Sequence, residues 1–431
     1  MRGWKMLAVL LVLLFTASTS FAAGFRLPEA GAKAMGMGFA FTAQADDPSA
    51  IYFNPAGLTQ LQGTNLMLGV TYVRENGGEF TGTTPVDDFL TGFTTVKNET
   101  QKSLDFFIPN LYVTRTTNDG YISYGVGVFT PFGLGQEYEN KSTSIFRNQI
   151  TKIDLQTIVV NPTIAFKVND MLSFGFGVDW MYGKAILERT PWNPALLPAG
   201  QNGNAFDLKL DGDGDAWGYN FGVLLKPTKN FRIGANYRSP FNLKIKDGDV
   251  TVSNVNAGAP GFAAANGTKA SVTVGMPATF ALGASYTMGR LTVNADADWT
   301  FWHSYSSLPI NFESSALPDS NAPKNWNDVV AGRFGAEYRV TDPLALRVGF
   351  AYDPSPVPSE TMGPELPDAD RLNYMVGVGY KIGPVTIDVA GMYVDKFDRT
   401  VNNQNNATLT GFNGTWKGDA WLASLDVGYR F

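Results

Sequence analysis

The chain has no cysteine, a single histidine and few charged residues, which make up 17% of its 431 residues. Without cysteine there is no disulfide framework and no thiolate metal site. One histidine, His303, leaves little scope for imidazole chemistry. Past the N-terminus, no apolar run approaches the length of a membrane-spanning helix. A formal net charge of −6 argues against nucleic acid as a partner.

No motif for a nucleotide, cofactor or metal is present. The acidic run from Asp211 to Asp215 resembles the start of a calcium loop, but Gly222 stands where the bidentate glutamate belongs. We interpret the run as a solvated loop. No constellation around His303 resembles a catalytic site, so the sequence predicts neither an enzyme nor a bound cofactor or metal.

Residues 1–22 have the features of a secretory signal peptide. Two basic residues precede the apolar run 6–15, and Ser20 and Ala22 occupy the small-residue positions before the cleavage site. The mature chain is therefore expected to begin at Ala23.

The remaining sequence is organised as fourteen strand-like segments whose connections alternate between two and six residues and roughly 17 to 29. The short connections are 115–120, 167–170, 226–230, 287–289, 341–343 and 382–383. The long connections are 75–103, 131–152, 188–214, 246–269, 303–327, 354–370 and 396–415. Tight turns at one end and large loops at the other are typical of an outer-membrane β-barrel.

Side chains in these segments alternate between apolar and polar or small residues. The last segment is representative, with five outward positions from Trp421 to Tyr429 and with Ser424, Asp426 and Gly428 between them. A soluble sandwich would alternate in the same way, but chain size, the signal peptide, the loop asymmetry and aromatic residues near strand ends favour a membrane barrel. The predicted fold is all-β: a fourteen-stranded antiparallel transmembrane barrel over residues 65–431.

Three prolines, Pro109, Pro162 and Pro277, fall in segments that alternate poorly. Because proline donates no ladder hydrogen bond, we expect bulges or breaks there.

Residues 23–64 precede the first strand and have little strand character. A fourteen-stranded barrel is too wide for its own side chains to fill, and this segment is apolar enough to be buried in the lumen. The topology thus predicts an N-terminal plug, or hatch. The alternative is a disordered periplasmic tail, although such tails are usually polar.

Several spaced motifs resemble the FadL/TodX family of outer-membrane channels for long-chain fatty acids and aromatic hydrocarbons. They are Ala-Gly-Phe-Arg-Leu-Pro-Glu at 23–29, Asp-Asp-Pro-Ser at 46–49, Asn-Pro-Ala-Gly-Leu at 54–58, Thr-Pro-Phe-Gly-Leu-Gly at 130–135, Asp-Pro-Ser-Pro-Val-Pro at 353–358 and Pro-Asp-Ala-Asp-Arg at 367–371. The resemblance covers essentially the whole mature chain.

The resemblance implies roles for particular residues. The hatch residues that rearrange for passage would be Asn54, Pro55 and Ala56. Residues 23–25, including Phe25, would reach into a binding pocket. The kink of the third strand, which opens a lateral gap in the wall, would comprise Pro131, Phe132, Gly133 and Leu134.

Two charged residues match substrate positions of the family. Arg189 matches the arginine that pairs with a fatty-acid carboxylate, and its parity places it on the lumen side. Asp353 also faces the lumen and either contacts substrate or pairs with a lumen arginine. The family's second cationic contact falls near Asn327, with Lys324 close by, which leaves room for an uncharged substrate.

The predicted barrel and the resemblance together imply passive uptake of long-chain fatty acids or related lipids by a multi-pass, monomeric protein of a Gram-negative outer membrane. Hatch rearrangement and lateral release into the surrounding membrane lipid complete the implied mechanism. The alternatives are the same fold carrying neutral aromatic hydrocarbons, a general porin and an adhesive barrel.

Overall fold

A computed structural model describes residues 24–88, 92–199 and 203–431 of the chain. The signal peptide expected at 1–22 and the expected first mature residue, Ala23, lie outside the described residues. Within those residues, no helix is long and apolar enough to cross a membrane.

The secondary structure is dominated by strands. In chain order they are β1 (Thr64–Glu75), β2 (Glu79–Thr83), β3 (Lys97–Thr100), β4 (Leu104–Thr116), β5 (Ile122–Phe129), β6 (Gly133–Glu137), β7 (Lys152–Lys167), β8 (Leu172–Arg189), β9 (Asp207–Leu225), β10 (Phe231–Arg238), β11 (Phe241–Ser253), β12 (Lys269–Met276), β13 (Ala278–Met288), β14 (Leu291–Phe301), β15 (Ser307–Phe312), β16 (Ser320–Pro323), β17 (Val329–Arg339), β18 (Leu344–Asp353), β19 (Arg371–Ile382), β20 (Val385–Lys396), β21 (Arg399–Asn402), β22 (Asn413–Lys417) and β23 (Asp419–Arg430). The helices are α1 (Ala32–Gly36), α2 (Ala50–Phe53) and the 3₁₀ helices Pro55–Gln60, Pro194–Ala199, Pro260–Ala265 and Trp302–Ser304.

Fourteen antiparallel wall strands close into a barrel, as the sequence predicts. Closure comes from β1 and β23, which pair from Asn65 opposite Arg430 to Glu75 opposite Ala420. Three wall strands consist of two pieces each, namely β5 with β6, β10 with β11, and β12 with β13. A closed barrel suits the membrane because it leaves no unpaired strand edge in hydrocarbon.

The alternation along the wall follows the predicted faces. In β23, Trp421, Leu425 and Tyr429 are exposed on the outside, whereas Ser424 and Asp426 are buried inside. Apolar side chains thus face lipid and polar or small ones face the lumen.

Several predicted connections were wrong because the wall continues beyond the expected strand ends. The acidic run 211–215 lies in β9 and pairs with β8, so it is not a loop. Four strands within the predicted long loops 75–103 and 396–415, namely β2, β3, β21 and β22, form a separate small sheet. These segments lack the apolar alternation of membrane strands, and tertiary pairing stabilises them instead.

The proline predictions had mixed outcomes. Pro277 separates β12 from β13, and the ladder of β7 with β8 skips Asn161 and Pro162, both as expected, but Pro109 lies inside the continuous ladder of β4 with β1. A further break, between Arg238 and Phe241, contains Pro240 and was not predicted.

Residues 24–60, here called the N-terminal segment, pack against inward-facing side chains around the barrel. Hydrogen bonds reach Tyr112 of β4, Asn220 of β9, Asp296 of β14 and Asp426 of β23. Almost all of its residues up to Leu58 are buried.

Inward-facing glycines let the backbone of this segment approach the wall. Gly335 and Gly349 lie opposite each other in β17 and β18. A Cβ at Gly335 would lie 2.2 Å from the carbonyl oxygen of Met37, and one at Gly349 would lie 2.0 Å from the amide nitrogen of Gly38. Any larger residue at either position would displace the chain at 37–38.

We predict that Gly335→Leu opens the lumen to ions. The leucine would collide with backbone, and overpacking of a tight contact typically costs about 1–3 kcal/mol. Steady conductance in planar bilayers is the measurement, and Gly332→Leu is the matched control because a Cβ at Gly332 meets no atom within 4 Å. Equal conductance of the two variants would contradict the prediction.

Candidate functional site

A cavity of about 650 Å³ lies inside the extracellular half of the barrel wall. Its apolar lining comes from six wall pieces, β6, β7, β8, β9, β11 and β12. Representative side chains are Leu134, Leu155, Leu187, Leu208, Ile245 and Val274. The volume falls in the range of small-molecule binding sites, and the lining suits an apolar ligand.

Arg189 is the last residue of β8 and lines this cavity opposite Leu208. The parity of β8 brings it to the inner side, in agreement with the sequence prediction. Among the described residues, none forms an ion pair or hydrogen bond with its guanidinium group. A cation so surrounded by apolar side chains has lost much of its hydration without gaining a counter-ion, which favours binding of an anion.

A second cation, Lys324, also lines the cavity, but it is paired. Its Nζ atom donates to Oε1 of Glu365, and only 9% of its side chain is exposed. Burial by itself would lower the pKa of Lys324, but attraction to Glu365 outweighs burial and raises the pKa. The cavity therefore holds one unpaired and one neutralised cation.

Phe25 lies among aromatic rings at the edge of the cavity. Its ring centroid is 4.7 Å from that of Trp302, 5.3 Å from Tyr305, 5.5 Å from Trp326 and 6.2 Å from Phe132. The contacts with Trp302, Tyr305 and Phe132 are edge-to-face, a favourable arrangement of aromatic quadrupoles. The structure thus brings Phe25 and Arg189 to the same cavity.

The third wall strand is interrupted at 130–132, between β5 and β6. Pairing of β4 with β5 begins at Leu111 opposite Val128, while β6 pairs with β7. In the ladders of the described strands, residues 104–110 of β4 have a partner in β1 but none in β6. The wall therefore contains a gap in its strand pairing at the predicted kink.

The beginning of the N-terminal segment hydrogen-bonds to this interruption. The amide of Leu27 donates to the carbonyl of Pro131 at 2.8 Å, and the amide of Gly133 donates to the carbonyl of Phe25 at 2.9 Å. On the opposite side of the chain, the hydroxyl of Thr157 donates to the carbonyl of Phe132. The N-terminal segment thus takes the ladder position that β4 leaves open.

Asn54 fixes the next part of the segment to the wall. Its side-chain nitrogen donates to the carbonyls of Thr42 at 2.8 Å and Val223 at 3.0 Å, and its oxygen accepts from the amide of Ala56 at 3.1 Å. The last bond caps the 3₁₀ helix that starts at Pro55. Asn54, Pro55 and Ala56 therefore form one hydrogen-bonded unit against β9.

Tyr52 links the beginning of the N-terminal segment to the end of β5, and it was not among the residues predicted from the sequence. Its hydroxyl donates to the carbonyl of Leu27 at 2.9 Å, and its ring lies 5.1 Å from that of Phe129, the last residue of β5. Its carbonyl accepts from Asn236 and from Arg238, which is paired with a buried aspartate of β8. No sequence pattern marks this tyrosine, because its partners are distant along the chain.

Asp353 lies away from the cavity. It accepts hydrogen bonds from Arg333 at 2.9 Å and from Asn373 at 2.6 Å. The pairing with a lumen arginine matches one of the two roles considered for it, and its contact with substrate stays a prediction.

Nearby, burial raises the pKa of Glu29 in the N-terminal segment to about 8.

Comparison with known proteins places these features in a family. The family model "Outer membrane protein transport protein (OMPP1/FadL/TodX)" matches residues 13–431. A "Long-chain fatty acid transport protein" of Escherichia coli O6:H1 is 27% identical over 456 residues, which cover 99% of this chain and 98% of that protein. "Outer membrane protein P1" of Haemophilus influenzae is 26% identical over 463 residues, which cover 97% of each.

Solved structures share the fold. A Pseudomonas aeruginosa FadL homologue superposes with a TM-score of 0.82 at 22% identity, covering 95% of this chain and 100% of that one. The Pseudomonas putida toluene transporter TodX gives a TM-score of 0.70 at 18% identity, with the same coverage. The chain therefore belongs to the OMPP1/FadL/TodX family of outer-membrane proteins of Gram-negative bacteria, which are transport channels and not enzymes.

Proposed function

We propose that this channel takes up long-chain fatty acids and that Arg189 binds the carboxylate in the apolar cavity. The unpaired, half-buried guanidinium of Arg189 at the wall of that cavity is the observation that carries the proposal. The relative in Escherichia coli is named for the same class of substrate. The relation to that protein over nearly its whole length supports the proposal.

The two parts of such a ligand contribute differently to binding. Each buried CH₂ group contributes about 0.8 kcal/mol, so the acyl chain supplies most of the affinity. A hydrogen bond to a charged group is worth about 1.5–3 kcal/mol, so Arg189 supplies selectivity for an acid over an alcohol.

A neutral aromatic hydrocarbon is the second candidate substrate. The rings of Tyr305 and Trp326, which line the cavity beside Phe25, favour it, because they would pack equally well on a ligand ring. A toluene transporter shares the fold, which by itself does not decide the substrate. The two candidates differ in whether binding depends on the charge of Arg189.

We predict that Arg189→Ala weakens binding of a long-chain fatty acid by about 10- to 100-fold, the equivalent of one charged hydrogen-bonded contact. Binding of the matched fatty alcohol should change little. Titration calorimetry in detergent measures both ligands, with Lys209→Ala as a control on the neighbouring strand. An equal loss of affinity for acid and alcohol would contradict the carboxylate site. An alkylbenzene is titrated as a third ligand, and binding of it that is unchanged in both variants would favour the neutral substrate.

Passage requires the N-terminal segment to move, and we propose that the part around Asn54, Pro55 and Ala56 is the moving hatch. Asn54 and Thr59 contact the wall through uncharged groups, whereas the earlier part is held by carboxylates such as Asp296 and Asp426. Uncharged hydrogen bonds, worth about 0.5–1.5 kcal/mol each, are more easily exchanged than charge-assisted ones.

A disulfide tests the hatch directly because the chain has no cysteine of its own. The hydroxyl oxygens of Thr59 and Ser173 are 2.9 Å apart and join the hatch to β8. We predict that the double variant Thr59→Cys with Ser173→Cys loses uptake of labelled fatty acid when oxidised and regains it with a reductant.

The matched control is a disulfide between two wall strands. The hydroxyls of Thr71 and Ser424 are also 2.9 Å apart, in β1 and β23. The double variant Thr71→Cys with Ser424→Cys should take up fatty acid in both redox states. Normal uptake by oxidised Thr59→Cys with Ser173→Cys would refute hatch movement.

We propose that the ligand leaves sideways through the gap in strand pairing at Pro131, Phe132, Gly133 and Leu134. This route keeps the acyl chain out of water from cavity to membrane, which avoids the cost of hydrating apolar surface. The contacts of residues 25–27 with this interruption support coupling between the N-terminal segment and the exit.

The exit route predicts where a bound ligand can be trapped. A fatty acid with a diazirine at its chain end should cross-link to residues 104–110 of β4 and to β6 after illumination. Mass spectrometry of the cross-linked peptides is the measurement. Labelling confined to the short turns such as 167–170 would instead indicate release into the periplasm.

A further inference from the structure

Residues 363–368, here called the relay segment, contact the cavity, the N-terminal segment and β6 at once. Glu365 forms the ion pair with Lys324 in the cavity. Oδ2 of Asp368 accepts a hydrogen bond from the amide of Gly24 at 3.2 Å. The carbonyl of Pro364 accepts from the hydroxyl of Tyr138 at 2.8 Å.

The contact with β6 itself is made by Gln136, whose side-chain amide also donates to the carbonyl of Pro364. Tyr138 follows immediately after β6. Gln136 belongs to β6, the strand piece that borders the gap in strand pairing. Six consecutive residues therefore connect a cavity carboxylate, the start of the N-terminal segment and the edge of the gap.

Glu365 has the chemistry of the proposed ligand's head group. It is a carboxylate that neutralises a cavity cation, and 23% of its side chain is exposed against 9% for Lys324. Of the two partners, Glu365 is thus the one that can turn toward water. Lys324 is held in place through its backbone, since its amide donates to Ser306 and its carbonyl accepts from Thr361.

We propose that Glu365 is an internal substitute for the substrate carboxylate, and that its displacement by a bound acid releases the relay segment. This inference rests on the proposed function, because it requires an acid in the cavity that contains Arg189. Two effects act on Glu365 when the acid arrives: competition for Lys324 and repulsion between like charges in a poorly hydrated space.

The consequence is a selective coupling of ligand to exit. Movement of the relay segment weakens the hold of Asp368 on Gly24 and of Pro364 on Gln136 and Tyr138. A neutral ligand of the same shape fills the cavity but has no charge with which to displace Glu365. Acids and alcohols should therefore differ in their effect on the N-terminal segment as well as in affinity.

The test compares Glu365→Gln with wild type in two measurements. Without the internal competitor, affinity for a long-chain fatty acid should rise by up to about tenfold, as expected for one freed charged contact, while affinity for the fatty alcohol stays the same. Hydrogen exchange at the amide of Gly24, followed by NMR, should increase on acid binding to the wild type, and should already be raised in unliganded Glu365→Gln.

Glu360→Gln is the matched control. Glu360 is an exposed glutamate of the same loop at the rim of the cavity, and it forms no ion pair with a described residue. The Glu360→Gln substitution removes the same charge without freeing Lys324, so the gain in affinity for the acid should be much smaller. Equal effects of Glu360→Gln and Glu365→Gln would overturn the proposal.

A second variant keeps the test decisive if the unpaired Lys324 impairs folding of Glu365→Gln. The double variant Lys324→Met with Glu365→Gln removes both charges, so acid should bind but should no longer raise exchange at Gly24 more than alcohol does. A persistent acid-specific increase in exchange would overturn the proposed role of the relay segment.

The measurements also separate this inference from the proposed function. If the wild type binds acid and alcohol equally well and Arg189→Ala does not change acid affinity, the proposed function itself is wrong. If Arg189→Ala weakens acid binding but Glu365→Gln has no effect, only this inference is wrong.

Discussion

The need to satisfy every backbone polar group in hydrocarbon governs the whole structure. It forces the wall to close, and it makes any interruption costly, at several kcal/mol for each unpaired group. The interruption at 130–132 is tolerated because other groups supply its partners. The amide of Leu27 and the carbonyl of Phe25 bond to it from the lumen, and Thr157 bonds to it from the next strand.

This arrangement ties the gap to the N-terminal segment. If the segment withdrew, the carbonyl of Pro131 and the amide of Gly133 would lose their partners. A ligand that moves the segment therefore also destabilises the local geometry of the gap. Tyr52 strengthens the tie, because its hydroxyl holds Leu27 while its ring packs on Phe129 at the end of β5. The N-terminal segment and the gap in strand pairing thus share the same hydrogen bonds.

The sequence predicted the features that depend on local pattern. Alternation along strands such as β23, and the even series of short and long connections, were sufficient for the barrel and its outward faces. The position of the break in the third strand came from resemblance, since Pro131 by itself reads as the start of a loop. Alternation was sufficient to place Gly428 on the lumen side, but the backbone contacts of Gly335 with Met37 could not be predicted.

The features that could not be predicted depend on proximity between distant residues. Lys324 and Glu365 are 41 positions apart, and no period connects them. Likewise, Asp353 could be given two roles because its neighbours Arg333 and Asn373 lie on other strands. The early start of β9, at Asp207, was missed because charged residues replace apolar alternation there, as in Lys209 beside Asp211.

The two cations that line the cavity differ in whether a carboxylate neutralises them. An apolar site that binds a neutral ligand gains nothing from a buried cation, which costs hydration free energy. Among the described residues, Arg189 and Lys324 are the cations that line this cavity, and only Lys324 has an ion-pair partner there, Glu365. Leaving Arg189 uncompensated makes physical sense if the missing charge arrives with the ligand. Glu365 lies on residues 363–368, which contact both Gly24 and β6. If the proposed acid displaced this carboxylate from Lys324, both contacts would be weakened.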